Sequence, residues 1–598
     1  MNFISKQKKL LLTLLISGGI FIFSIQAISA AEIGENETFY IDSFYDWSSR
    51  ASISATLTKI SNNAYFYIED EYWNSLSFDK QNLYLNSLNK VIDDFDNATY
   101  PSLHYVFGSE WKPGIDDDER ITILLSHLKS TAAGYFNAKD EVPGSIESTS
   151  NEREMIYINA TQIPNFLASS FIAHELQHLI SWNQKERMNN LIDDIWLNEM
   201  RSEYAPTAAG LDSVYVGTNL ERRVDDFLAN PFNSLTNWQG DRYDYPPANL
   251  FGHYLAEQFG EDIFSLIAKS SKVGIPSVEQ ALRDKGLNFT FSQIFNNWTI
   301  ANHLNNSSLS DGRYGYKNPY LRGAISVSPI SYGIVSTSVI NIAQKVENWA
   351  PYWYRFVNKQ DSGTVAKDLE IEFEAPSNYG NFNVIYLVEY NSKPTLINIL
   401  ALQSQKGVLR IPNFKSDVDA ITIIISNQIK RGDFESGDIA TPFTLSVATT
   451  IFEGSVPELQ PESNPSGMAK PEDYGLKEGD LIRAQGDFDI FIINQYGYKR
   501  LFLNPAIFNM YGHLGSWGAV KTVTPQTRDA FITSNFYRYS VSPKVYYLEV
   551  TGGDTGTFHW VNMAVENFLS QGAKPEMIFE INQSELTWYP KGADKTSL

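Results

Sequence analysis

The chain contains no cysteine in 598 residues. That excludes disulfide staples and cysteine nucleophiles, so a protein of this size has to rely on packed cores, with bound metal ions as the one other staple open to it. Basic residues are few: 47 Lys and Arg stand against 69 Asp and Glu, for a formal charge of -22. So acidic a chain argues against nucleic acid or anionic lipid as a partner. Histidine occurs eight times, so any spaced pair of them carries information. Beyond the first thirty residues no apolar run is long enough to cross a bilayer. EF-hand spacing and internal repeats are also missing.

What is present suffices for folding: 43% hydrophobic and 14% aromatic residues supply several packed cores, and the length suggests about three or four domains. Residues 1–30 read as a signal peptide. Lys6, Lys8 and Lys9 form a basic start, 10–25 an apolar core, and Ser29, Ala30 and Ala31 a small-residue cleavage region. Its removal takes the formal charge to -25 and implies a secreted, extracellular protein, either free or associated with the cell surface, that does not span a membrane.

The stretch F-L-A-S-S-F-I-A-H-E-L-Q-H-L-I-S-W at 166–182 organises the rest. His174 and His178 stand four apart, so on a helix both imidazoles leave one face a turn apart, where they can share a metal ion. Glu175, beside them, can take a proton from the attacking water. A second helix is expected from Ile195, behind the capping candidates Asp193 and Asp194 and closed by Pro206. It places Glu199 as a third ligand opposite the histidines. Two imidazoles and a carboxylate are the donor set of a catalytic Zn2+ with a fourth position left open. Glu203, one turn on, is placed to accept the spare N–H of a ligand imidazole.

The H-E-L-Q-H of 174–178, with W-L-N-E at 196–199 and S-E-Y-A at 202–205, resembles the gluzincin zinc metallopeptidases, most closely the hyicolysin-type secreted neutral metallopeptidases of bacteria. The likeness covers about 38–305 and includes G-I-D-D-D-E-R-I-T-I-L-L from Gly114, G-Y-F at 134–136 and S-N-E-R-E-M-I-Y-I-N from Ser150. It departs at Met200, where the family has a small glycine. The resemblance implies a thermolysin-like catalytic domain of mixed sheet and helical subdomain, with one catalytic zinc ion and a protein or peptide substrate. It also implies a tyrosine that donates to the oxyanion. Tyr245, nine residues before the Tyr254-Leu255 pair, is similar in position. Tyr243 and His253 are the alternatives, and packing is the competing role for each. Clan aminopeptidases carry a G-x-M-E-N strand whose glutamate grips a free amine; Glu152 and Glu154 only loosely echo it, so endopeptidase cleavage is expected. The alternatives are a binding or adhesion protein with a retained zinc site, and a gluzincin hydrolase acting on a non-peptide substrate.

The expected architecture is multidomain α+β. A catalytic domain covers 31–310, a β-sandwich 311–450, a Pro-rich linker 451–475, and a β-rich accessory module 476–598. Strands are expected at 64–68 and 121–125, and a helix carrying Tyr84, Leu88, Val91 and Phe95. The run 155–159 reads either as the sheet edge that pairs with substrate or as an ordinary core strand. Asp116, Asp117, Asp118 and Glu119 read either as a Ca2+ site or as a solvated turn. Period-two runs at 369–374, 384–388, 421–425 and 443–447 give the sandwich, and the aromatics of the last module read either as contacts for a surface polymer or as an ordinary folded core.

Overall fold

Apolar residues on both faces of a strand require cover on both sides, and the first sheet is built that way. The computed structural model describes residues 31–597 except 288, 310, 361–366, 377–379, 430–439, 453–470, 486, 540–541, 551–554 and 572. The signal peptide reading and most of the Pro-rich linker reading therefore lie outside the described residues. Strands Asn36–Tyr40 (β1), Ser52–Ile60 (β2), Ala64–Glu69 (β3), Ile121–Ser126 (β4), Gly134–Phe136 (β5) and Met155–Asn159 (β6) form one sheet in the order β1-β2-β3-β4-β6-β5. The β3/β4 and β4/β6 pairs are parallel; the others are antiparallel. Phe66, Ile68, Ile123, Leu125, Ile156 and Ile158 face a helical layer, while Tyr65, Tyr67, Leu124, Met155 and Tyr157 fill a second core on the other face.

The expected strands at 64–68 and 121–125 fall in β3 and β4. The 155–159 reading divides in favour of the core strand: β6 is buried throughout and flanked by β4 and β5, so the edge is the three-residue β5.

The helical layer contains Asp70–Ser75 (α1), Phe78–Asp94 (α2), Tyr100–Phe107 (α3), Ala168–Ser181 (α4), Ile195–Ala208 (α5), Asn219–Ala229 (α6) and Tyr245–Phe259 (α7). Tyr84, Leu88 and Val91 are the buried stripe of α2, and Phe95 continues it. Pro206 does not close α5; it sits inside the last turn, and the helix runs on to Ala208. Asp194 is the N-cap residue of α5 by position, but its side chain caps no backbone N–H. The helical core reaches past residue 310, since Tyr314, Tyr316, Leu321, Ile325 and Val327 pack into it.

From Ile330 the chain forms two antiparallel-rich sheets of four and five strands over a shared core, in which Leu369, Ile371 and Phe373 meet Val384, Tyr386, Ile421 and Ile423. This sandwich rests on the helical core through Trp349 and Trp353, and the Trp353 indole donates to the Thr299 carbonyl at 3.1 Å. After the linker come two small mixed sheets of five and four strands. They are pinned by a buried ion pair in which the Arg500 guanidinium donates to both Glu585 oxygens at 2.9 and 3.1 Å. Among the described residues no helix is long and apolar enough to cross a membrane.

Candidate metal centre

The i, i+4 spacing on α4 does what helix geometry requires: the Nε2 atoms of His174 and His178 come within 3.2 Å of each other. Helix α5 returns alongside α4 and brings in Glu199. Its Oε2 lies 3.3 Å from His174 Nε2, and its Oε1 lies 3.7 Å from His178 Nε2. Zinc bonds of about 2.0–2.1 Å in a tetrahedron put donor atoms about 3.3–3.4 Å apart, so these three edges fit one ion. Glu199 Oε2 is buried without a hydrogen-bond partner, which suits an oxygen facing a cation. Among the described residues this is the one group of three or more potential ligands whose donor atoms lie within 4.8 Å of one another. The three side chains keep 12–17% exposure, so a fourth position is reachable from solvent.

Each imidazole is oriented from behind. His174 Nδ1 lies 3.5 Å from Glu203 Oε1. Glu203 is itself held by Arg223 of α6, whose Nη2 and Nε donate at 2.6 and 2.7 Å, and by Asn219 at 3.1 Å. His178 Nδ1 meets the Ser202 hydroxyl at 3.1 Å, which begins a buried chain through Gln177 and Ser181 to Arg201 and Asp193. Ser202 and Arg223 were not singled out from sequence. Ser202 sits beside Glu203 in the quoted S-E-Y-A, but nothing local marks Arg223, whose role depends on a helix twenty residues away. Replacing Arg223 with Ala should free Glu203 and weaken the affinity of this cluster for a divalent metal about 10–100-fold, as read with zinc as the probe in competition with a chromophoric chelator. Unchanged affinity would remove the orienting role.

Electrostatics separates the groups. Burial drives His178 down to about 4, with His174 adding to the effect. Burial acts the same way on His174, but the adjoining Glu199 carboxylate and the charges of Glu175 and Glu203 overcome it and raise the imidazole to about 9. A metal bound here must therefore displace a proton. Burial pushes Glu175 up to about 7, with Glu199 and Glu203 adding and His174 opposing. On Glu203 burial is overcome by the Arg223 guanidinium, which holds the carboxyl at about 2.

Tyr245 opens α7 rather than preceding it, with its ring under the Arg223 guanidinium at 4.5 Å and edge-on to Trp238 at 4.9 Å. Burial and then the charges of Glu199 and Glu203 raise its phenol, which places it in the neighbourhood of the centre. Tyr243 instead lies beside Arg242, with its carbonyl bonded to Asn233. His253 is 2% exposed, 3.3 Å from the Thr207 hydroxyl, and held at about 3 by burial; it is a core histidine. Met200 is fully buried at the α5/α7 contact, opposite Gly252, where a Cβ would stand 3.2 Å from its Cγ. The bulk that departs from the resembled family therefore points into helix packing. Tyr45, also missed from sequence, stacks on Tyr135 at 4.6 Å; burial, then Asp42, Glu175 and Glu199, raise its phenol. A recess of about 250 Å³ lined by Ser181, Asn198, Glu199 and Arg201 opens beside the third ligand.

No family model matches this chain, and no curated protein matches it. Two solved structures align weakly. A Yersinia pseudotuberculosis-derived mitogen aligns at 7% identity and TM-score 0.14, over 20% of this chain and 91% of that one. A family GH115 4-O-methyl-alpha-glucuronidase with specificity for decorated arabinogalactans aligns at 8% and 0.11, over 58% and 54%. Likeness at that level carries no argument about fold or function.

Proposed function

We propose that this chain is an exported zinc endopeptidase of the gluzincin kind. The reading is carried by the convergence of His174 Nε2, His178 Nε2 and the Glu199 carboxylate on one point, with Glu175 next to it on α4. A structural zinc site has no use for Glu175. Bound there, zinc supplies Lewis acidity that brings the pKa of water toward about 7 and polarises the scissile carbonyl. Glu175, poised near neutrality by burial, accepts the proton of the attacking water and delivers it to the leaving amine. Tyr245 is the hydroxyl assigned to the oxyanion, held in place by Arg223 and Trp238. No covalent intermediate is expected, because the water is the nucleophile.

The substrate backbone is assigned to the open side of β5. A Cβ on Gly134 would lie 2.8 Å from Glu175 Cγ, so this edge runs against the general base. Residues 134–136 carry no acid to hold a free α-amine. Glu154 accepts from the Ile115 N–H at the start of β6, and Glu152 from the Gly144 N–H. Internal peptide bonds are therefore the favoured substrate over chain ends. Gly134→Ala should lower kcat with zinc content unchanged, because its Cβ would also meet the Tyr157 carbonyl at 2.7 Å, which no rotamer change relieves. Full activity in that variant would remove β5 from the cleft.

The function itself is tested by incubating the mature protein with casein, with a zinc chelator, and with zinc restored. Fragmentation that stops with the chelator and returns with zinc supports the reading. Retained zinc with no cleavage of any protein would favour the binding alternative.

A further inference from the structure

Away from the metal centre, the structure buries two carboxylates against each other without a donor between them. Glu141 ends the 3-10 turn Ala138–Glu141, is 2% exposed, and has no hydrogen-bond partner for either oxygen. Glu154, also 2% exposed, accepts from the Ile115 N–H at 2.9 Å through Oε1, while its Oε2 is buried and unpartnered. The Arg153 N–H donates to the Asp140 carbonyl at 3.0 Å, which pairs the two segments and brings the carboxyls together, yet neither carries a donor when ionised. Gly114 makes room for them: it holds φ +93, and a Cβ there would fall 1.7 Å from Glu154 Oε2.

Two buried anions in contact need a counter-charge or a proton. The nearby cation is already engaged, since Arg153 pairs with Glu37 at 2.9 Å and lies over the Phe39 ring at 5.1 Å. Asp116 and Asp140 add further negative charge around Glu141. Asp140 is satisfied by Tyr157 and Asn151, and Asp116 accepts from the Asp118 N–H, so neither neutralises the pair. The acidic run 116–119 itself folds as a turn bonded to its own backbone, with Asp118 also accepting from Arg120 N–H and the Tyr65 hydroxyl.

We infer that a calcium ion binds between Glu141 and Glu154. The unpartnered atoms of Glu141 and Glu154 are carboxylate oxygens, which suit a hard cation and disfavour zinc. Two protein carboxylates leave most of the shell to water and carbonyls, which calcium accepts because it takes about six to eight oxygens in flexible geometry. The ion ties the turn just after β5 to the residue just before β6, whose carboxylate also accepts from Ile115 in the loop leading to β4. It would thus brace the strand assigned to the cleft edge, although it binds whether or not the chain is a peptidase. The competing arrangement is a single proton shared by the two carboxyls: burial raises Glu154 to about 7 and Glu141 above its ordinary range.

The experiment uses the full mature chain, stripped of metals, given one equivalent of zinc and titrated with calcium chloride at neutral pH by calorimetry and by thermal melting. One calcium per chain, a melting point raised by several degrees, and loss of both effects in Glu141→Gln are expected. Hydrogen exchange across 137–153 should slow when calcium is added. A parent chain that takes up no calcium, or a calcium response that persists in Glu141→Gln, overturns the proposal. Because the parent measurement decides by itself, a variant that failed to fold would not rescue it.

Discussion

Glu175→Gln is expected to lower kcat on casein about 10²–10⁴-fold while leaving zinc bound and the fold intact. The amide keeps the volume of the carboxylate, and the proposed ligands are His174, His178 and Glu199, so a bound ion would keep its donors. What is lost is the proton acceptor. Burial, reinforced by Glu199 and Glu203, lifts Glu175 to about 7, close to where a general base both exists ionised and still binds a proton well. The split between lost turnover and retained metal separates a catalytic from a ligating role. A variant that keeps its rate would mean that water is activated without Glu175; one that loses its zinc would make Glu175 part of the site's framework.

The largest stability effect is expected at the other end of the chain. Arg500 and Glu585 are 2% and 0% exposed, Tyr511 also donates to Glu585, and the guanidinium lies over the rings of Phe502 and Tyr511 at 4.5 and 4.8 Å. Removing one partner strands a buried charge, so Arg500→Met should cost about 3–5 kcal/mol, as should Glu585→Leu. The double replacement should recover most of that loss, because an apolar pair of similar volume leaves no charge uncompensated. Urea unfolding, with hydrogen exchange read on peptides from 481–581, measures the cycle. Additive losses in the double variant would mean that the two residues do not act as a pair.

The convergence of His174, His178 and Glu199 was legible because its signal is local chemistry at fixed helical spacing. His174 and His178 need only one helix, and Glu199 needs only that the chain turn back once. The sheet was harder. Met155–Asn159 is four apolar residues and an asparagine whether it has one neighbour or two, and the true edge, Gly134–Phe136, is too short to show a period. Pro206 reads as a stop because proline removes a helical N–H, but its place in the last turn forfeits only the bond toward Ser202. Arg223, Tyr45 and the Glu141–Glu154 contact join segments far apart in sequence, and no local pattern announces such meetings.

The most direct test is the zinc content of the mature protein and of Glu199→Ala after dialysis against a chelator of moderate strength, with circular dichroism confirming that both are folded. One zinc per chain in the parent and almost none in the variant is the predicted result. A parent free of zinc, or a variant that holds it equally well, would contradict the shared site formed by α4 and α5.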